Sequence, residues 1–207
     1  MDFSQNYKIT DKDIANDPDI QYALSDREVA KIAQGRCKLM VYNDLKNVNA
    51  IEELLIPYGA CLILYEYKPQ YGHWCGLIET IPGKRMEFFD SYGLKPDDEK
   101  QFIKNGYWKE GYLSKLLYEA AKRGWEIEYN QHPFQNWNEK KISTCGRWVG
   151  LRMLLRFLPL STFKELFYHP DYYISDVLAT VITDDIMKNS KNTESVNFVG
   201  NSRKVYL

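Results

Sequence analysis

Thr144-Cys145-Gly146-Arg147-Trp148 opens the most apolar helical segment of the chain, which continues through Val149, Leu151, Met153, Leu154, Leu155 and Phe157 to Leu158, where Pro159 closes it. Helices with so little polar surface are buried on most sides. A cysteine in the first turn sits among unpaired backbone N–H groups at the positive end of the macrodipole, which favours the thiolate. Ser143 or Thr144 is expected to cap this helix, and Gly146 to leave room beside the sulfur for a substrate backbone.

Working upstream, three further groups acquire roles. His73 to Ile81 and Arg85 to Asp90 read as strands joined at Pro82-Gly83-Lys84, an antiparallel hairpin. Antiparallel pairing puts the start of one strand beside the end of the next, so His73 and Asp90 fall at the same end and can hydrogen-bond. The imidazole then serves as base for the Cys145 thiol, and the carboxylate fixes its tautomer. Glu87 is turned to the other face by strand alternation. Gln135 is a candidate oxyanion donor, with the Cys145 backbone N–H as the second; Asn130, Gln131, Asn136 and Asn138 are nearby substitutes.

At 207 residues the chain suits one domain with a sizeable core. Residues 1–187 are expected to form it, with a loosely held N-terminal arm over about 1–22 and a polar tail over 188–207. Hydrophobic residues at 44% and charged residues at 27% exclude wholesale disorder. Sixteen tyrosines and five tryptophans exceed the needs of a core, which points to a ring-lined groove for an extended chain. A net charge of −1 provides no field to steer the protein onto nucleic acid or an anionic membrane. The N-terminus lacks a basic region followed by an apolar run, and no window nears the about 18 apolar residues of a membrane span. A cytosolic or nuclear protein is expected, not secreted, with Cys37, Cys61, Cys75 and Cys145 as free thiols.

Elsewhere, Ser25-Asp26-Arg27-Glu28 reads as a capping box and Gly35 as a stop. A short helix is predicted over Val48 to Leu55, a buried strand over Ala60 to Tyr67, and a helix over Leu113 to Lys122 burying Leu113, Leu116, Leu117, Ala120 and Ala121. Trp125 to Asn130 alternates as a strand, Gln131 to Ser143 is a polar loop, and a last helix covers Ile174 to Met187. The class is α+β, with a central mixed or antiparallel sheet packed against helices.

Cys75 is a rival nucleophile without a helix terminus, and His132 and His169 lack an evident acidic partner. No Cys-x-x-Cys or His-x-x-x-His spacing is present, so no metal is expected, and no cofactor motif appears.

Gly72-His73-Trp74, Phe88-Phe89-Asp90-Ser91-Tyr92-Gly93, Gln135 and Thr144-Cys145-Gly146 together resemble the adenain and SUMO-protease superfamily of cysteine peptidases, over roughly Leu54 to Leu158. Within it the chain is most similar to the maturation proteases of adenoviruses, virophages (the mavirus type) and Maverick/Polinton elements. The resemblance implies a papain-like, adenain-like fold and cleavage of viral capsid or core precursors, in the virion and the host-cell cytoplasm. It assigns His73 as base, Asp90 as orienting acid, Gln135 as oxyanion donor and Cys145 as nucleophile, with Trp74 and Gly146 at the substrate. Gln135 lies ten residues before Cys145, a longer spacing than is common in the family. Adenain responds to DNA and a viral peptide, which makes either a candidate activator of a protein expected to be monomeric. A protease acting on ubiquitin-like modifiers of the host is the alternative within the superfamily, and a non-catalytic binding scaffold the alternative outside it.

Overall fold

The computed structural model describes residues 17–68, 71–99, 111–136 and 141–190. Its centre is the hairpin of β3 (Tyr71–Ile81) and β4 (Arg85–Asp90), in which Leu77 pairs with Phe88 and Cys75 with Asp90. Gly83 turns the chain at φ +64°, a left-handed conformation open to glycine. On the other side of β3 lies β2 (Ala60–Lys68), also antiparallel. Two short edge strands run parallel to their neighbours: β1 (Lys38–Val41) beside β2, and β5 (Glu126–Tyr129) beside β4. The result is a mixed sheet of order β1-β2-β3-β4-β5, so the α+β class expected above is the one observed.

Both faces of the sheet are covered, which explains why β2 and β3 read as nearly continuous apolar runs. Trp74, Ile78 and Phe89 face α2 (Asp26–Ile32), α5 (Cys145–Leu154) and α6 (Leu160–Phe167), packing with Val29, Ile32, Trp148, Val149 and Phe163. Cys75, Leu77 and Phe88 point the other way, toward Tyr42, Leu45, Leu54 and the Leu113, Leu116 and Leu117 stripe of α4 (Tyr112–Lys122). Ala121 is exposed and lies outside that stripe.

The elements follow local rules where these are strong. Ser25 and Glu28 form the expected capping box on α2, and Gly35 stops it at φ +66°. The helix expected over Val48 to Leu55 is a 3₁₀ turn (Tyr42–Asn47) followed by a single α-turn, α3 (Glu52–Leu55). Residues 17–22 are not a loose arm: Asp17 caps α1 (Pro18–Gln21), and Ile20 is fully buried. Residues 1–16 and 191–207, most of the expected arm and tail, lie outside the described residues, while 188–190 complete the last helix, α7 (Tyr172–Asn189), and its cap. No helix among the described residues is long and apolar enough to cross a membrane.

Helix α5 is buried from Gly146 through Met153. Three glycines allow its close approach. A Cβ at Gly146 would meet Val29 at 2.8 Å, one at Gly150 would meet Ile32 at 2.8 Å, and one at Gly76 would meet Met153 and Val149 at 2.8 Å. The helix stops at Leu154, four residues short of the expected Leu158, because Arg152 gathers the chain that follows. Its Nη1 donates to the Leu155 carbonyl and its Nη2 to that of Leu158. The same guanidinium donates to both Glu87 carboxylate oxygens at 2.8 and 2.7 Å, a bidentate pair sealed from solvent. Glu87 thus points away from Asp90, as strand alternation requires.

Removing one partner of such a pair strands the other charge in a low dielectric. Glu87→Ala is expected to cost about 3–5 kcal/mol, read as a loss of unfolding free energy in a denaturant titration.

Candidate active site

The register of β3 and β4 sets the first contact. With Cys75 opposite Asp90, His73 lies two residues beyond the end of β4 on the same face, and the Asp90 side chain reaches along the sheet to it. His73 Nε2 lies 2.9 Å from Asp90 Oδ1. The carboxylate is itself held: the Tyr92 N–H donates to Oδ1 at 2.7 Å, while the side chain of Asn130 accepts from the Asp90 N–H and donates to its carbonyl. The ring of Tyr92 stacks on the imidazole at 4.2 Å and 14°. Both His73 and Asp90 are buried, and His73 Nδ1 is without a hydrogen-bond partner among the described residues. Burial alone would lower the imidazole pKa, but the carboxylates of Glu99 and Asp90 outweigh it and hold His73 well above its ordinary value.

Cys145 is the first residue of α5 and the one partly exposed cysteine of four free thiols. The expected cap is absent. Thr144 occupies the N-cap position, but its hydroxyl donates instead to Asp176 Oδ1 of α7 at 2.5 Å, so it makes no capping bond to the first turn. Helix α5 lies along β3, with Trp74 Cδ1 3.3 Å from where a Gly146 Cβ would sit. The sulfur is also near enough to act on the Tyr92 hydroxyl, whose ring covers His73; burial pushes that hydroxyl up, His73 draws it down and Cys145 raises it further.

The space expected beside Gly146 is filled by the chain itself, by Val29, Leu24 and Trp74. Trp74 is 5% exposed, and its indole N–H donates to the Leu24 carbonyl. Both positions pack α5 onto β3. Gln135 is buried in the loop before Cys145, where its Oε1 accepts from Ser91 at 3.0 Å and its Nε2 donates to the Ile142 carbonyl at 3.2 Å. One amide proton is thus engaged, and the residue ties the segment after Asp90 to the approach to Cys145. Of the substitutes, Asn130 is spent on Asp90, while residues 137–140, including Asn138, lie outside the described residues. His132 stands edge-on to Tyr168 at 4.4 Å, and His169 is on the surface.

Glu99 belongs to this site and carries no motif that announces it. Its Oε1 lies 3.7 Å from His73 Nε2, and its Oε2 accepts from the Tyr67 hydroxyl at 2.5 Å. Cys75 completes the surroundings, with burial pushing its thiol well up. His73, Cys75 and Asp90 offer donor atoms within 4.8 Å of one another. All three side chains are buried, and the His73 Nε2–Asp90 contact joins two of them.

No family model matches the chain. A Sputnik virophage protein described as uncharacterized protein V9 is 37% identical over 173 residues, 78% of this chain and 94% of that protein. Among solved structures, the SUMO protease Ulp1 with its catalytic cysteine oxidized to a sulfonic acid aligns with a TM-score of 0.41 and 17% identity, over 80% of this chain and 78% of that one. The same protease oxidized to the sulfinic acid gives 0.40 and 18%, over 89% and 87%.

Asp176 fixes the start of α5 from behind, accepting from Thr144 Oγ1 at 2.5 Å and Trp148 Nε1 at 2.8 Å on one oxygen and from the Asn136 N–H on the other. Burial raises its carboxyl to about 7 against the opposing pull of these donors. The folded protein therefore keeps a proton that the unfolded chain releases near pH 4, and stability falls as pH rises between the two values. Asp176→Asn retains an acceptor for Thr144 and Trp148 without the titrating proton. It is expected to flatten this decline, so that the variant's melting temperature gains on the wild type's between pH 5 and 8 in thermal unfolding scans.

Proposed function

The chain belongs to the same family as the Sputnik virophage protein V9, and on that premise we propose that it is a viral cysteine endopeptidase that processes capsid or core precursor proteins. The observation that carries this reading is the His73 Nε2 to Asp90 contact of 2.9 Å, with Nδ1 free of a hydrogen-bond partner among the described residues and Cys145 partly exposed at the start of its helix. Asp90 accepts from Nε2–H and leaves Nδ1 as the basic nitrogen. Nδ1 takes the Cys145 proton, and the thiolate attacks the scissile carbonyl carbon. The tetrahedral oxyanion is met by the Cys145 N–H and the remaining amide proton of Gln135. His73 then protonates the leaving amine, and water hydrolyses the thioester with the same imidazole as base. Membership with a virophage protein supports a viral setting, and the motif resemblance supports precursor proteins as substrates. Activation by DNA or a peptide is a further proposal, addressed by adding each to the same assay.

A thiol-directed probe at neutral pH is expected to label wild type and not Cys145→Ser, because Cys37, Cys61 and Cys75 are buried. His73→Ala is expected to cut labelling at least roughly tenfold, by removing the imidazolium that stabilises the thiolate. Incubation with the virus's own structural precursors should yield discrete fragments that Cys145→Ser does not produce. Equal labelling of wild type and Cys145→Ser would overturn the nucleophile, and processing of ubiquitin-like conjugates alone would overturn the maturation role.

A further inference from the structure

His73 faces two carboxylates, and the mechanism above uses one. Asp90 holds Nε2 at 2.9 Å, while Glu99 Oε1 stands 3.7 Å from the same nitrogen, buried and without a hydrogen-bond partner among the described residues. Glu99 is not a loose surface side chain that drifts near: it is fully buried, and its other oxygen is fastened by the Tyr67 hydroxyl of β2. An unpartnered carboxylate oxygen aimed at an imidazole in a closed space has an electrostatic consequence at every pH at which it is charged.

We infer that Glu99 is a second carboxylate of the site, a positioning residue that acts through His73 and, held by Tyr67, extends to higher pH the range over which the imidazolium partner of Cys145 persists. The inference rests on the peptidase reading above. The groups facing Glu99 are His73 and Cys75 from β3, Asp90 from β4, Tyr67 from β2, and Tyr92 and Asp98 from the segment after β4. Burial pushes the Glu99 carboxyl up to about 7; His73 and Tyr67 oppose this, and Asp90 and Asp98 add to it. The order of events follows. Below neutrality Asp90 alone balances the imidazolium, and Glu99 keeps its proton. As pH rises through neutrality Glu99 ionises, and a second negative charge is placed beside His73 at the point where the imidazolium would otherwise begin to lose its proton. The polarity is favourable, since a negative charge within about 4–6 Å raises the pKa of a cation.

The test is the pH dependence of Cys145 alkylation by iodoacetate, an anionic reagent whose reaction needs both the thiolate and the neighbouring imidazolium charge, followed by mass spectrometry on the full chain without substrate. Wild type is expected to hold its rate well above neutrality before the imidazolium limb falls. In Glu99→Gln that limb should move down by roughly one unit or more, and Tyr67→Phe should move it in the same direction by less, because the Glu99 anion loses a donor. Superimposable profiles for wild type and Glu99→Gln would overturn the inference, and so would a loss of rate by the same factor at every pH, which a purely structural role produces. If Glu99→Gln does not fold, Tyr67→Phe decides in the same way. Absence of Cys145 alkylation in wild type would instead overturn the peptidase reading itself, so the two failures are distinct.

Discussion

The pairing of β3 with β4 is the constraint on which the site depends. Sliding one strand by a single residue would turn Asp90 to the opposite face of the sheet and break its contact with His73. Phe88 and Phe89 hold the register. They are adjacent, both fully buried, and belong to different cores on opposite faces of the sheet. Fully burying a phenylalanine contributes about 1.5–3 kcal/mol, whereas a net hydrogen bond contributes about 0.5–1.5 kcal/mol. The two rings therefore outweigh the His73–Asp90 bond as determinants of register. The polar pair sits where apolar packing places it.

Helix α5 is fixed by a similar division of roles along its length. At its C-terminal end Arg152 binds Glu87 and the Leu155 and Leu158 carbonyls, a structural knot with no access to solvent. In its first turn Arg147 binds Asp184, Thr183 and the Asp19 carbonyl, which ties α1 and α7 to the helix. Against that rigidity, Thr144 gives its hydroxyl to Asp176 and leaves the helix uncapped. An N-cap side chain contributes about 1 kcal/mol, so the arrangement forgoes a modest stabilisation at the start of the helix. Strong anchors on either side make that loss tolerable.

Legibility in the sequence follows the range of the interactions involved. The capping box of α2, the hairpin turn at Gly83 and the burial of α5 are local or periodic features, and each is readable from neighbouring residues. Both β1 and β5 lie at sheet edges and span four residues each; β5 alternates visibly, while Lys38–Val41 has no turn signals to bound it and gains its identity by pairing with β2. The helix Leu160–Phe167 follows Pro159 directly and reads as an ending when only the preceding segment is weighed. The early stop of α5 depends on Arg152 reaching carbonyls three and six residues on. Glu99 and Asp176 are the hardest cases. Each is an ordinary acidic residue in an acidic neighbourhood, and its meaning comes from partners 26 to 32 residues away in the chain: His73 for Glu99, and Thr144 and Trp148 for Asp176.

Two thiols, Cys75 and Cys145, are the candidates for chemistry at this site, and their physical circumstances contrast. Cys75 is directly opposite Asp90 in the sheet, so its ionisation would add negative charge beside a buried carboxylate, and burial opposes it further. No substrate carbonyl can reach it through the two packed faces of the sheet. Cys145 has the reverse circumstances: it is partly exposed, at the positive end of a ten-residue helix whose N-cap side chain makes no capping bond. The Asp90 contact meanwhile turns His73 Nε2 into the acidic interior, where Cys75 also lies, so the two sulfurs differ in both burial and surrounding charge.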